Sequence, residues 1–113
     1  MGVIMEKFLE ILKALSDENR FKIITLLLTR NFCVKALANR LEISEAAVSQ
    51  HLKILREAGL VKGEKRGYWV HYIVDKDIIN QTGDELKKIL EPSVFIDNHE
   101  KKQCCRKEEN KDV

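Results

Sequence analysis

The chain has 113 residues, of which 44% are hydrophobic and 34% are charged, and its formal net charge is +2. This length and composition predict one folded domain and exclude both a two-domain protein and a disordered chain. Neither a membrane-spanning stretch nor a secretion signal is apparent in the sequence, so we expect a cytoplasmic protein. Its three cysteines are then expected to be free, metal-bound or redox-active rather than a disulfide framework.

The positive charge is concentrated in the middle of the chain. Between Cys33 and His71 there are seven Lys or Arg residues and four Glu residues, a balance of +3, which leaves −1 for all other positions. A local basic excess of this kind is typical of a surface that binds nucleic acid.

The first thirty residues predict two helices. Apolar residues recur at helical spacing over residues 4–15, and a second apolar stretch covers residues 21–28. Ser16 is predicted to cap the second helix, with Asp17 and Glu18 in its first turn, where negative charge complements the helix dipole. The second helix is apolar enough to lie at the centre of the fold.

The next segment has the pattern of a helix-turn-helix. Apolar residues at positions 34, 37, 38 and 41 predict a short helix, and Glu42, Ile43 and Ser44 predict a tight turn. Ser44 can cap a second helix that ends at Gly59. The core side of this second helix is predicted to be Val48, Leu52 and Leu55. Its other side carries small, polar or basic residues, as a DNA-recognition helix requires.

A β-hairpin and a last helix follow. Residues 68–74 alternate with a period of two, and Lys65, Arg66 and Gly67 are predicted to form the hairpin tip. Apolar residues from 78 to 90 predict a further amphipathic helix, which Pro92 ends. The predicted fold class is mainly α with one β-hairpin, a winged helix-turn-helix. Residues 1–92 form the predicted domain, and residues 93–113 form a charged, cysteine-containing tail.

Candidate contacts to double-stranded DNA follow from this arrangement. Gln50 has the side chain that pairs with adenine in the major groove, whereas Lys53 and Arg56 suit phosphates. The first helix of such a pair crosses the DNA backbone, and a basic wing tip can enter the minor groove. The candidate DNA-binding residues are Lys35, Arg40, Ser44, Glu45, Ala46, Ser49, Gln50, His51, Lys53, Arg56, Lys65 and Arg66.

Three segments resemble the ArsR/SmtB family of repressors. They are residues 36–61, with Val-Ser-Gln-His-Leu at 48–52, residues 14–20, and residues 67–72. The resemblance extends over residues 5–90. It implies a homodimer, joined through the first and last helices, that binds operator DNA and dissociates from it when an inducer binds.

One segment also resembles the arsenic motif of that family, Cys-Val-Cys-Asp-Leu. Cys33 matches its first cysteine, while Lys35 stands where the second would be. Cys104 and Cys105 would supply replacement thiols, because the chain after Glu91 extends roughly 40 Å before it reaches them. Thiolates select thiophilic ions, so the expected inducer is As(III) or Sb(III), held by these three cysteines. No cofactor is required.

Several alternatives stay open at this point. A thiol-based redox or sulfide-responsive repressor would use the same cysteines. A zinc or cadmium sensor fits less well, because the family's zinc pattern in the last helix needs His and none lies between His71 and His99. A Cys-rich site that includes His99 would still accept Zn(II) or Cd(II). A winged-helix adaptor would bind a protein instead of an operator. No nucleophile–base pair, phosphate loop or two-histidine metal motif indicates an enzyme, and no membrane partner is expected.

Overall fold

The computed structural model describes the backbone of residues 2–91 and the side chains of residues 5–91. Its elements are the helices α1 (Gly2–Leu15), α2 (Glu18–Thr29), α3 (Val34–Leu41), α4 (Glu45–Glu57) and α5 (Lys76–Lys87), with strands β1 (Val61–Arg66) and β2 (Trp69–Val74) between α4 and α5. A 3₁₀ turn, Lys88–Leu90, follows α5. The order confirms the predicted winged helix-turn-helix. The predicted tail, with Cys104 and Cys105, lies outside the described residues, and the boundary at residues 92 and 93 stays a prediction.

The chain divides into two compact units after Thr82. The first unit contains the helix-turn-helix, both strands and the beginning of α5, and the second begins at Gly83. Within the described residues, no helix combines the length and the apolarity needed to cross a membrane.

The start of α2 differs from the prediction. The N-cap is Asp17, whose Oδ2 accepts a hydrogen bond from the Arg20 amide at 3.1 Å. Ser16 is not the cap, because its hydroxyl donates backward to the Lys13 carbonyl at 2.8 Å. Serine and aspartate are both good cap residues, and here they are neighbours, so the local pattern alone placed the cap one residue too early.

Helix α2 has one buried side and one exposed side. Ile23, Ile24 and Leu27 are buried in the core, whereas Phe21 is 55% and Leu28 44% exposed. The expectation that α2 lies at the centre of the fold is therefore only half correct. Its apolar residues are found all around the helix, but only one side of the helix packs against the core.

The core holds the helix-turn-helix and the wing together. Helix α3 packs on α4, α4 contacts β1, and α2 contacts β2. Each large side chain buried there contributes roughly 1.5–3 kcal/mol. The most completely buried large side chains are Ile23, Leu37, Val48, Leu52, Leu55 and Leu60.

The two strands form an antiparallel hairpin whose tip lies further along the chain than predicted. Pairing runs from Val61 opposite Val74 to Arg66 opposite Trp69, so the connecting loop is Gly67 and Tyr68. Lys65 and Arg66 belong to β1, and the predicted tip at 65–67 was wrong. Gly67 does adopt positive φ, at +65°, as the first residue of a tight two-residue loop.

Candidate DNA-reading surface and cysteine site

The turn between α3 and α4 is closed by three local features. Glu42 ends α3 in the left-handed conformation, with φ +60° and ψ +44°. The Ile43 amide donates to the Ala38 carbonyl at 3.2 Å, and Ser44 Oγ accepts the Ala47 amide at 3.0 Å. Because α3 ends and α4 begins within three residues, the angle between the two helices is fixed by hydrogen bonds at both ends of the turn.

Helix α4 separates its core residues from its outward residues, as predicted. Val48, Leu52 and Leu55 are almost fully buried, at 0%, 1% and 0% exposure. The other side is open to solvent along its whole length, so small and polar side chains are available to the grooves of DNA. The exposed candidates on α4 are Glu45, Ala46, Ser49, Gln50, Lys53 and Arg56.

The remaining basic candidates are also exposed. Lys35 and Arg40 lie on α3, and Lys65 and Arg66 end β1 beside the hairpin loop. Exposure lets DNA phosphates approach these side chains from the solvent. The individual contacts to DNA stay predictions.

The wing carries an ion pair and an unusually open aromatic residue. Arg66 donates to Glu64 Oε1 from Nη2 at 2.9 Å and from Nε at 3.3 Å. The side-chain hydrogen bond from Arg66 holds the pKa of Glu64 below its usual value. Tyr68, in the loop, is 99% exposed.

His51 differs from the other candidates because it is half-buried. Arg20 Nη1 lies 3.2 Å from His51 Nδ1, and Arg20 Nε donates to the Ala14 carbonyl at 2.7 Å. One guanidinium therefore joins the end of α1 to the recognition helix. Sequence analysis missed this role of Arg20, because Arg20 and His51 are 31 positions apart and no local pattern connects them.

Cys33 is the N-cap of α3, at the beginning of the helix-turn-helix. Its side chain is free, half-buried and makes no capping hydrogen bond. It lines a cavity of about 320 Å³ together with Asn31, Phe32, Ala36, Trp69 and His71. Within the described residues, His71 Nδ1 is a buried nitrogen that has no hydrogen-bond partner. The cavity thus combines apolar walls with one thiol and one imidazole, and its walls come from both α3 and β2.

The predicted three-cysteine set is only partly within the described residues. Cys104 and Cys105 lie outside them, as does His99 of the alternative zinc or cadmium site. Among residues 5–91 no group of three or more His, Cys, Asp or Glu side chains could hold a metal ion. Of the three predicted cysteines, Cys33 is the one that lies within the described residues, and its cavity is also lined by His71.

The fold and the exposed basic surface define a winged helix-turn-helix protein of the DNA-binding class. Residues 17–62 match the family model described as "Bacterial regulatory protein, arsR family". An uncharacterized HTH-type transcriptional regulator of Methanocaldococcus jannaschii is 42% identical over 86 residues, which are 72% of this chain and 96% of that protein. The chain belongs to the ArsR family.

Two further similarities agree with this assignment. The arsenic resistance transcriptional regulator of Pseudomonas putida is 34% identical over 83 residues, 72% of this chain but only 64% of that protein. The solved structure of an ArsR-like transcriptional regulator from Rhodococcus sp. RHA1 superposes with a TM-score of 0.71 at 32% identity, covering 79% of this chain and 83% of that one. The protein is thus a DNA-binding transcription regulator and not an enzyme, as the sequence predicted.

Proposed function

We propose that the chain is a homodimeric repressor that leaves its operator when a thiophilic inducer binds at Cys33. One observation carries the proposal. The free thiol of Cys33 begins the first helix of the DNA-reading pair and shares its cavity with Trp69 and His71 of the wing strand β2. A ligand held there would contact both elements that are expected to touch DNA.

Double-stranded operator DNA is the proposed partner of α4 and the wing. One recognition helix reads few base pairs, whereas two copies spaced by one turn of DNA read a palindromic site with greater affinity and specificity. Exposed apolar side chains on the first and last helices support self-association. Leu9 on α1 is 46% exposed, and Leu86, Ile89 and Leu90 near the end of the described chain are 46%, 59% and 79% exposed.

The proposed inducer is As(III) or Sb(III). A thiolate is a soft donor that selects such ions, and the Cys33 side chain has no capping hydrogen bond to give up. The Pseudomonas putida relative carries arsenic resistance in its name. We propose that Cys104 and Cys105 complete the sulfur set. Binding of DNA itself requires no cofactor.

The proposed switch is a change in how α3 and β2 sit around the cavity. A ligand between them favours the arrangement that accommodates it, and the population shifts away from the one that fits DNA. A coupling of about 1–3 kcal/mol is typical of such switches and corresponds to a roughly 5- to 150-fold loss of DNA affinity.

The test is binding of the protein to duplex DNA from its own promoter, measured by fluorescence anisotropy with and without inducers. We expect arsenite and antimonite to release the wild-type protein and to leave Cys33→Ser bound. The double variant Cys104→Ser/Cys105→Ser should respond weakly. Without inducer, all three proteins should bind equally, which controls for damage to the fold.

The same experiment separates the alternatives. Equal release of all three proteins by arsenite would show that the proposed site is wrong. Release by polysulfide alone would indicate a redox or sulfide sensor, and release by Zn(II) or Cd(II) alone would indicate a sensor of those ions. An adaptor protein would show no steep salt dependence of DNA binding, because that dependence comes from phosphate contacts.

A further inference from the structure

Arg20, near the start of α2, forms a hydrogen bond with His51 of the recognition helix α4. Arg20 Nη1 and His51 Nδ1 are 3.2 Å apart, and a second bond holds the same guanidinium on the Ala14 carbonyl at the end of α1. His51 belongs to α4, and its side chain is 18% exposed. The pair therefore connects the end of α1 and the start of α2 to the helix that is proposed to enter the DNA groove.

The chemistry of arginine determines which histidine nitrogen carries the proton. A guanidinium has only N–H donors, so His51 Nδ1 must be the acceptor and carries no proton. The imidazole is then neutral, with its proton on Nε2. Asp17 Oδ2 lies 4.0 Å from Nδ1, too far for a hydrogen bond, so the nearer Arg20 decides the tautomer.

This tautomer leaves one donor without a partner. Within the described part of the chain, His51 Nε2 makes no hydrogen bond. His51 lies at the edge of the exposed side of α4, because Gln50 before it is exposed and Leu52 after it is buried. His51 lies two turns after the start of α4, beyond the first residues that read base edges, where contacts to the DNA backbone are expected.

We propose that Arg20 is a positioning residue for DNA binding. It holds the Nδ1 edge of the His51 ring against its guanidinium, and Nε2–H, on the opposite edge of the ring, donates a hydrogen bond to a phosphate oxygen of the DNA. This inference rests on the DNA binding proposed above. Because a neutral imidazole donates the bond, the contact supports affinity for any sequence but replaces no counterion.

Two substitutions of His51 test the Nδ1 acceptor and the Nε2–H donor of the ring separately. In His51→Asn the amide oxygen occupies roughly the place of Nδ1 and still accepts from Arg20, but the Nε2–H donor is gone. In His51→Gln the amide nitrogen replaces that donor, while the acceptor for Arg20 is lost. Since the phosphate is charged, we expect His51→Asn to bind about 10- to 100-fold more weakly and His51→Gln to keep most of the affinity.

Comparison of His51→Asn with a variant that removes a charged residue shows whether His51 makes an uncharged contact to phosphate. His51→Asn should weaken binding to promoter duplex and to a scrambled duplex by the same factor and leave the salt dependence unchanged. Lys53→Gln, as the matched variant on the same helix, should lower the slope of log affinity against log salt by about 1. A loss confined to the promoter duplex would show a base contact and overturn the phosphate assignment.

Arg20→Met tests the positioning role, because methionine keeps an unbranched chain but has no donor. We expect weaker DNA binding in the wild-type background and little further loss in the His51→Asn background. If Arg20 had a purely structural role, Arg20→Met would lower the DNA affinity by the same factor in both backgrounds. ¹⁵N NMR of the free protein should show His51 with its proton on Nε2, and an Nδ1–H tautomer would overturn the proposed contact with Arg20.

The possible failures are distinguishable. If the wild-type protein binds neither duplex, the proposed function and this inference both fail. If it binds and His51→Asn binds equally well, only the inference fails. Thermal unfolding of each variant confirms that the compared proteins are folded.

Discussion

At the scale of single residues, the charges of the wing are partly neutralised before DNA arrives. Arg66, a predicted DNA contact, is held by Glu64 through two hydrogen bonds to the same carboxylate oxygen. For Arg66 to enter a minor groove this pair must separate, so Glu64 competes with DNA for the guanidinium. Both side chains are exposed, and water and salt keep the competition weak.

Replacing Glu64 therefore provides a test at this scale. Glu64→Gln removes the negative charge and releases Arg66, and we expect DNA binding to become about 2- to 5-fold tighter at low salt. The measurement is a titration of promoter duplex at several salt concentrations, in which the difference should shrink as salt rises.

The matched control for that variant is Glu18→Gln. Glu18 also forms an exposed ion pair, with Lys22 Nζ at 2.8 Å, but on α2 rather than on the wing. Both variants change the net charge equally. If Glu18→Gln strengthens binding as much as Glu64→Gln does, the effect is one of total charge and Arg66 is not in competition.

At the scale of elements, the start of α4 depends on a single side chain. Ser44 Oγ accepts the Ala47 amide, one of the donors that a helix leaves unpaired at its N-terminus. We expect Ser44→Ala to lower the free energy of unfolding by about 1 kcal/mol, measured by urea denaturation.

Two companion variants separate the cap from a DNA contact at Ser44. Ser49→Ala, on the exposed side of the same helix, should change stability by less than about 0.5 kcal/mol. Ser44→Asp should restore the cap but weaken DNA binding, because it adds a negative charge to the DNA side. A stability loss for Ser49→Ala equal to that of Ser44→Ala would contradict the capping role.

At the scale of the whole molecule, the proposed dimer predicts that one exposed leucine is required for dimerisation and that another is not. Leu9 on α1 and Leu28 on α2 are similarly exposed, at 46% and 44%. We expect Leu9→Glu to give a monomer in light scattering and to weaken promoter binding on the order of 100-fold, because the second half-site is lost. Leu28→Glu should remain a dimer. A dimer for Leu9→Glu would exclude α1 from the interface.

The sequence determined the local features of this protein. Helical and two-residue periodicity predicted the order of elements, and Ser44 and Gly59 were correctly assigned as the cap and stop of α4, with Gly59 at φ +82°. These features depend on residues within about four positions of one another, so a linear pattern contains them. Its errors, at Ser16 and at the hairpin tip, are shifts of one or two residues between neighbours that suit the same role.

Only the tertiary structure decided which distant residues meet. Packing of α2 beside α4 places Arg20 on His51, and the cavity beside the wing strand β2 places His71 and Trp69 near Cys33. Such pairs depend on how helices and strands cross, which is set by the shape of the buried core and not by spacing along the chain. The sequence could therefore predict a DNA-reading helix and a free thiol at its approach, while the contacts that connect each of them to the rest of the fold required the structure.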